Sequence, residues 1–408
     1  MAKRSNPTGT FLRQSSGYKA FEPAPLPPDP PLMLDEEAIA LLSKADQAVG
    51  RLDGASQMLP NPDLFVAMYV RREAVESSAI EGTQSTLQDV LAFELDPSFQ
   101  GLPGDVEEVV NYVRAMNYGL DRLSTLPLSL RLIREIHAEL MTGVRGHNRD
   151  PGEFRKTQNW IGPGGATLQT ATFVPPPVKE MTDALANLEV FLHQPGNLPA
   201  LVHCAIAHSQ FETIHPFLDG NGRVGRLLIA FMLVHAGVQH RPLLYLSHYL
   251  KRHRSTYYEL LMSVREEGDW LPWIRFFLQG VYVTAQDATE TAQQIIRLRE
   301  QDREALVSLG QGINELRLLD VLFQRPLVNT QLVMETLQVS DVTARKVIGN
   351  LEKAGVLDEI TGKDRYRVYR YARYWGIFTD RADIMKDGKE YDETLSTDML
   401  ENLKSPTP

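Results

Sequence analysis

Cysteine is nearly missing from this chain: Cys204 is the only one in 408 residues, so no internal disulfide can form and nothing asks for an oxidising compartment. Long apolar runs are missing too. No window of about 18 apolar residues occurs, so no membrane partner is expected. The opening MAKRSNPTGTFLRQSSGY lacks the apolar stretch of a secretory signal. The cytoplasm is the expected location. There is no excess of positive charge either: 42 Lys and Arg against 52 Asp and Glu give a net charge of −10, which argues against wrapping nucleic acid with the whole surface but leaves room for a locally basic module. The nucleotide loop Gly-x-x-x-x-Gly-Lys-Ser/Thr is absent. What remains is an ordinary globular composition, 43% hydrophobic and 23% charged, long enough for about two or three domains.

Residues 1–33 end in the run Pro23-Ala24-Pro25-Leu26-Pro27-Pro28-Asp29-Pro30-Pro31, which favours an extended arm and prohibits helix. Asp35 then reads as an N-cap, followed by Ala38, Leu42, Ala45, Val49 and Leu52 at helical spacing. Helical periodicity continues near 62–80, 84–95, 105–123 and 128–143, which makes 34–125 an N-terminal helical region. Residues 126–300 form the next domain. Within it, the segment 151–176 is punctuated by Gly152, Gly162-Pro163-Gly164-Gly165 and Pro175-Pro176-Pro177, so that Arg155–Ile161 and Thr167–Val174 read as a β-hairpin. Beyond it helices resume, with Asn197 as the expected cap of one that carries Pro199 in its first turn. Residues 301–378 carry a helix, then Thr330–Leu337, then Ser340–Ala354, then strand-like runs Val356–Thr361 and Tyr366–Tyr371: the order of a winged helix-turn-helix. Residues 379–408 read as a polar tail.

The chemistry concentrates in His215-Pro216-Phe217-Leu218-Asp219-Gly220-Asn221-Gly222-Arg223-Val224-Gly225-Arg226. An apolar helix follows it, and two glycines around Asn221 let successive N–H groups turn into one concavity at that helix's positive end, a site for anions. Arg223 and Arg226, three apart, would bring guanidinium forks to phosphate oxygens. Asp219 suits Mg²⁺, which prefers one or two carboxylates plus the substrate's own phosphates. His215 could accept a proton from an attacking hydroxyl.

This stretch matches at every fixed position the Fic-family signature His-x-Phe-x-Asp/Glu-Gly-Asn-Gly-Arg-x-x-Arg, and the resemblance extends over most of residues 30–300. It implies a mostly α fold: a Fic-type helical core with a β-hairpin flap, here joined to a C-terminal winged helix-turn-helix. It implies an enzyme that transfers AMP from ATP, with Mg²⁺, to a Ser, Thr or Tyr hydroxyl of a target protein, itself included. By position, His215 would be the general base and Asp219 the Mg²⁺ ligand. Gly220, Asn221, Gly222 and Arg223 would cradle phosphate, and Arg226 would hold the terminal phosphate. The related Doc proteins, which phosphorylate, typically have Lys at the place of Gly222, so the glycine favours nucleotidyl transfer. Tyr249, on the helix after the motif, would line an adenine pocket.

The resemblance also covers the flap, whose edge at Thr172-Phe173-Val174 would pair with the target's backbone. Upstream, Ser77-Ser78-Ala79-Ile80-Glu81-Gly82 resembles the family's inhibitory motif, in which Ser77 and Glu81 share a helical face and Glu81 pairs with Arg226 to bar ATP from its productive pose. Inhibited assemblies occur among relatives, so a homodimer is compatible, though no residue pattern requires it. His203 and His208, five apart, point to different faces and read as packing groups, and Cys204 as a small buried hydrophobe. The winged helix opens an alternative. Its 10 Lys and Arg exceed 8 Asp and Glu, and Lys363, Arg365, Arg367, Arg370 and Arg373 cluster around the wing. In that reading the protein is a DNA-binding regulator whose Fic core is a nucleotide sensor or a self-modifying switch.

Overall fold

In a computed structural model the chain divides into two compact units between Thr289 and Glu290. The structure describes residues 6–57, 62–144 and 149–384, without the side chains of 62–65 and 379–384. The first unit opens with an antiparallel hairpin, β1 (Gly9–Arg13) against β2 (Lys19–Pro23) with Phe11 opposite Phe21. The expected arm thus contains a sheet element, and the segment from Ala24 to Asp35 lacks regular structure. Asp35 does cap α1 (Glu36–Gln57), since its carboxylate accepts the Ala38 N–H at 2.9 Å. The buried stripe of α1 differs slightly from the reading above: Leu41 and Ala48 are buried and Leu42 is only half-buried, because a straight helix of 3.6 residues per turn drifts away from a 3.5-residue repeat.

Four helices follow: α2 (Pro62–Ile80), α3 (Leu87–Leu95), α4 (Val106–Leu123) and α5 (Leu130–Leu140). Sequence signals place their ends. Thr86 and Asp89 make a reciprocal capping box on α3, and Ser129 caps α5. The segment from 150 to 177 is mostly irregular, and the expected hairpin is reduced to one bridge, Ile161 with Phe173. Then come α6 (Val178–His193), α7 (Ala200–Ile214), α8 (Asn221–His235), α9 (Ser247–Arg252), α10 (Arg254–Glu267) and α11 (Leu271–Ser308), which continues past Glu290. Pro199, not Asn197, is the residue at the N-cap of α7. From Leu201 to Ile214, α7 is buried on every face, and α8 nearly so; these two antiparallel neighbours form the centre of the unit, and rings such as Phe211, Phe217 and Phe231 are each worth roughly 1.5–3 kcal/mol of burial.

The second unit holds α12 (Ile313–Gln324), β3 (Leu327–Asn329), α13 (Thr330–Leu337), α14 (Asp341–Lys353), β4 (Asp358–Glu359), β5 (Val368–Arg370) and α15 (Ala372–Ile384). The strands form one antiparallel sheet in the order β3-β5-β4, shorter than the sequence runs suggested and with β3 as an added edge. Asn329 and Ser340 cap α13 and α14. This is the winged helix. α15 extends into the expected tail as far as Ile384, and residues 385–408 lie outside the described residues. No helix among the described residues is long and apolar enough to cross a membrane.

Candidate active site

The turn between α7 and α8 is built from two left-handed residues. His215 closes α7 at φ 48° and ψ 62°, and Gly220 opens α8 at φ 75°. Left-handed backbone is cheap for glycine and costly for histidine, so His215 needs outside support. It receives it. The His215 carbonyl accepts from Arg155 Nε and Asn159 Nδ2, both at 3.1 Å, and the Pro216 carbonyl accepts from the Arg155 N–H at 2.8 Å. Asn221, expected in the phosphate cradle, turns its side chain inward: Oδ1 accepts from Phe217 N–H and Nδ2 donates to Phe217 O, both at 2.8 Å. Its amide therefore closes the loop, and only its backbone faces the helix start.

The first turn of α8 brings Gly222, Arg223 and Arg226 together. Arg223 is buried, with Nη1 at 3.6 Å from Glu108 and Nη2 at 3.9 Å from Asp219. Its Nε and Nη1 have no hydrogen-bond partner among the described residues, so buried donors stand open for an acceptor. Asp219 is 39% exposed at the loop's rim, and its Oδ1 accepts from Gly220 N–H at 2.7 Å. No cluster of three or more metal-ligating side chains exists among the described residues. One rim carboxylate beside open guanidinium donors nevertheless fits Mg²⁺ arriving with phosphate.

Arg226 is occupied. Its Nε donates to Ser77 Oγ at 2.7 Å, and Nη2 donates to Ser77 O at 3.0 Å and to Glu81 Oε1 at 2.7 Å. The two acceptors, four residues apart, come from the end of α2 and the turn after it. Burial acts to raise the Glu81 pKa, but Arg226, with Arg223 and His215, outweighs it and holds the carboxyl below its ordinary value. Gly222 is what admits this contact: a Cβ there would overlap Glu81 Oε1 and stand 3.0 Å from Arg226 Nη1. Glu73, one turn before Ser77, anchors the same helix by accepting from Ser247 N–H at 3.2 Å, Ser247 Oγ and Tyr112 OH.

Burial, with Arg265 and Arg155 nearby, pushes the His215 imidazole down to about 3, so the ring is neutral and can receive a proton. Another histidine, His137, supports the loop. Its Nδ1 accepts from Gly152 N–H at 2.8 Å, so Nε2 carries the hydrogen and donates to Asp219 O at 3.1 Å, while the ring stacks on Phe217 at 3.8 Å. Burial pushes it to about 4. Tyr249 packs against His253, Phe276 and Gly280. His203 Nε2 donates to Phe191 O, and His208 donates from Nδ1 to Gly225 O and accepts at Nε2 from Tyr257 OH, both as packing groups. Cys204 is buried, which raises its thiol pKa.

The docking edge drawn from the sequence needs correction. Phe173 exchanges both N–H···O bonds with Ile161, at 3.0 and 2.8 Å, and Val174 O accepts from Phe21 N–H at 2.9 Å. Phe173 and Val174 are buried, and only Thr172 is exposed. Backbone groups alternate sides along a strand, so the unpaired side is the other one, at Trp160 and Gly162, whose N–H and C=O have no partner among the described residues. Trp160 is 43% exposed there.

Sequence reasoning missed Arg155, Asn159, Glu73, Arg265 and His137. Each acts through a contact between segments far apart in the chain, which local spacing does not register.

Three comparisons with known proteins bear on this arrangement. Residues 39–121 match the family model Fic/DOC family N-terminal, 127–233 the model Fic/DOC family, and 316–378 the model HTH DNA binding domain. The protein adenylyltransferase Fic of Drosophila grimshawi is 30% identical over 254 residues, 60% of this chain and 47% of that protein. Its counterpart in Drosophila melanogaster is 28% identical over 295 residues, 68% of this chain and 54% of that protein. The chain thus spans about half the length of these relatives. A crystal structure of a Fic family protein from Desulfovibrio desulfuricans shares the fold, with a TM-score of 0.53 at 20% identity over 84% of this chain and 97% of that one.

Proposed function

Because the chain is a Fic-family protein, with the family's N-terminal and core domains followed by a helix-turn-helix domain, we propose that it transfers AMP from ATP to a Ser, Thr or Tyr hydroxyl of a target protein, and that Glu81 restrains it. The observation that carries the proposal is Arg226, whose guanidinium is held by Ser77 and Glu81 at the helix end that also offers the open donors of Arg223. Guanidinium forks such as these suit phosphate oxygens.

In the transfer, the target hydroxyl attacks the α-phosphorus, the bond to pyrophosphate breaks, and the hydroxyl proton passes to the neutral His215 ring. The α8 N-terminal turn and Arg223 hold phosphate oxygens. Mg²⁺, held by Asp219, would neutralise phosphate charge. Positioning and electrostatics supply most of the rate in such a reaction, and the base a smaller share. The target is expected to lay an extended segment along Trp160–Gly162, where backbone pairing requires no particular side chains.

α-Labelled ATP tests the reading. Label should appear on protein with Glu81→Gly and vanish when His215→Ala is added; label that persists without His215 would sink it.

The winged helix supports a second role in DNA contact. Its exposed face presents Tyr366 at 92% exposure on the wing and Val342 at 77% on α14. The basic cluster is smaller than the sequence suggested, because Arg373 is paired with buried Asp302; on α14, Arg345 is paired with Asp341. Lys363, Arg365 and Arg367 remain on the wing. Duplex affinity that falls with added salt supports this role.

A further inference from the structure

The stem of the flap, Arg155 to Asn159, supplies donors to three consecutive carbonyls of the turn that carries His215. Arg155 N–H donates to Pro216 O at 2.8 Å and Arg155 Nε to His215 O at 3.1 Å. Asn159 Nδ2 is shared between His215 O at 3.1 Å and Phe217 O at 2.9 Å. The remaining Arg155 nitrogens reach both legs of the flap, Nη1 to Thr157 O at 3.2 Å and Nη2 to Pro176 O at 2.5 Å. Arg155 is 1% exposed and has no carboxylate partner among the described residues, where its hydrogen bonds go to carbonyl oxygens. A buried cation so held is costly to displace and fixes the groups around it. Asn159 is only half-buried, and two residues beyond it the Ile161 bridge closes the strand whose outer side is unpaired.

We propose that Arg155 and Asn159 are positioning residues that lock the flap to the left-handed His215 turn, so that a target strand docked at Trp160–Gly162 and the proton-accepting imidazole are held in one rigid frame. The proposal rests on the AMP-transfer reading above and names how that site aligns its acceptor. Neither residue touches substrate; both act through the backbone of residues 215–217. Loss of the Asn159 amide removes the flap's donor at Phe217 O and one of its two donors at His215 O, while leaving the Arg223 and Arg226 pocket untouched. Misalignment of an attacking group by about 1 Å costs up to a hundredfold in rate, so the effect belongs in turnover rather than in nucleotide binding.

The experiment uses the full chain with Glu81→Gly as enzyme and the full chain with His215→Ala as the acceptor protein, with α-labelled ATP. Adding Asn159→Ala to the enzyme should lower kcat about tenfold or more, with KM for ATP and the unfolding midpoint near those of the parent. Asn159→Gln, which keeps the amide, should recover part of the loss, and Arg155→Lys, if it folds, should behave as Asn159→Ala does. Unchanged kcat, or a rise confined to KM for the acceptor, would overturn the proposal. A second readout needs no turnover: in protein labelled with ¹⁵N-histidine, the ring signals of His215, assigned by their loss in His215→Ala, should shift or broaden in Asn159→Ala. Unchanged ring signals would overturn the coupling even if no AMP moves, whereas a silent Glu81→Gly parent with shifted ring signals would count against the transferase reading alone.

Discussion

Glu81 Oε1 lies 2.7 Å from Arg226 Nη2, across a gap that exists because residue 222 has no side chain. The pair joins a turn 145 residues upstream to the helix start where phosphate is expected, and under the proposed function it restrains Arg226 together with Ser77. Arg226 is 2% exposed at its side chain and Glu81 37%, so the guanidinium is buried and the carboxylate lies at the rim.

Glu81→Gly should therefore raise AMP transfer by at least about tenfold, the factor that corresponds to roughly 1.4 kcal/mol. Ser77→Ala, which removes the acceptor of Arg226 Nε but leaves the backbone and Glu81 contacts, should give an intermediate rate. The label incorporated from α-labelled ATP, compared across the three proteins, checks the order.

Gly225→Ala should destabilise the fold by about 1–3 kcal/mol, as overpacking does. A Cβ at residue 225 would overlap Glu212 Oε1 and stand 3.2 Å from the Phe211 ring, and both neighbours are buried. Urea unfolding measures the loss, and adding Glu212→Ala should recover part of it by making room.

Two buried carboxylates should contribute less to stability as pH rises from 5 to 8, a loss opposed below about pH 6.5 by the neutral buried rings of His137, His208 and His215. Burial raises the Glu73 carboxyl to about 7 against Ser247 and Arg226, and burial with Glu81 raises Glu212 to about 7 against Arg226 and Arg265. An acid whose folded pKa lies above its unfolded value is stabilising below the unfolded pKa, and that contribution is lost as pH passes through the folded one. A rise from 4.5 to about 7 corresponds to about 3 kcal/mol per carboxylate. Glu76, held at about 2 by His248 and Lys251 despite its burial, acts with the opposite sign but only below its ordinary range. Compared with the double variant Glu73→Gln, Glu212→Gln, the parent's urea midpoint should fall progressively between pH 5 and 8.

Activity should respond differently to acid. With His215 at about 3, its ring stays deprotonated from pH 5.5 to 8, and kcat of the Glu81→Gly protein should show no step near 6.5. A titration step near the ordinary histidine pKa, absent from a control that reports ATP binding, would contradict the buried neutral ring.

The amino-acid order by itself determined what lies on contiguous residues: the glycines and arginines of 219–226, the caps Asp35 and Ser340, the helical stretches, and Ser77 and Glu81 on one face, because capping, turn chemistry and helical period act over a few residues. Tertiary structure decided the rest. Whether a strand edge is free depends on what lies beside it, and Phe21, more than 150 residues before Val174, occupies the edge that the sequence offered for docking. Asn221 spends its amide on Phe217, and Arg155 and Asn159 grip a turn some 60 residues away, since buried donors and acceptors are satisfied by proximity in space.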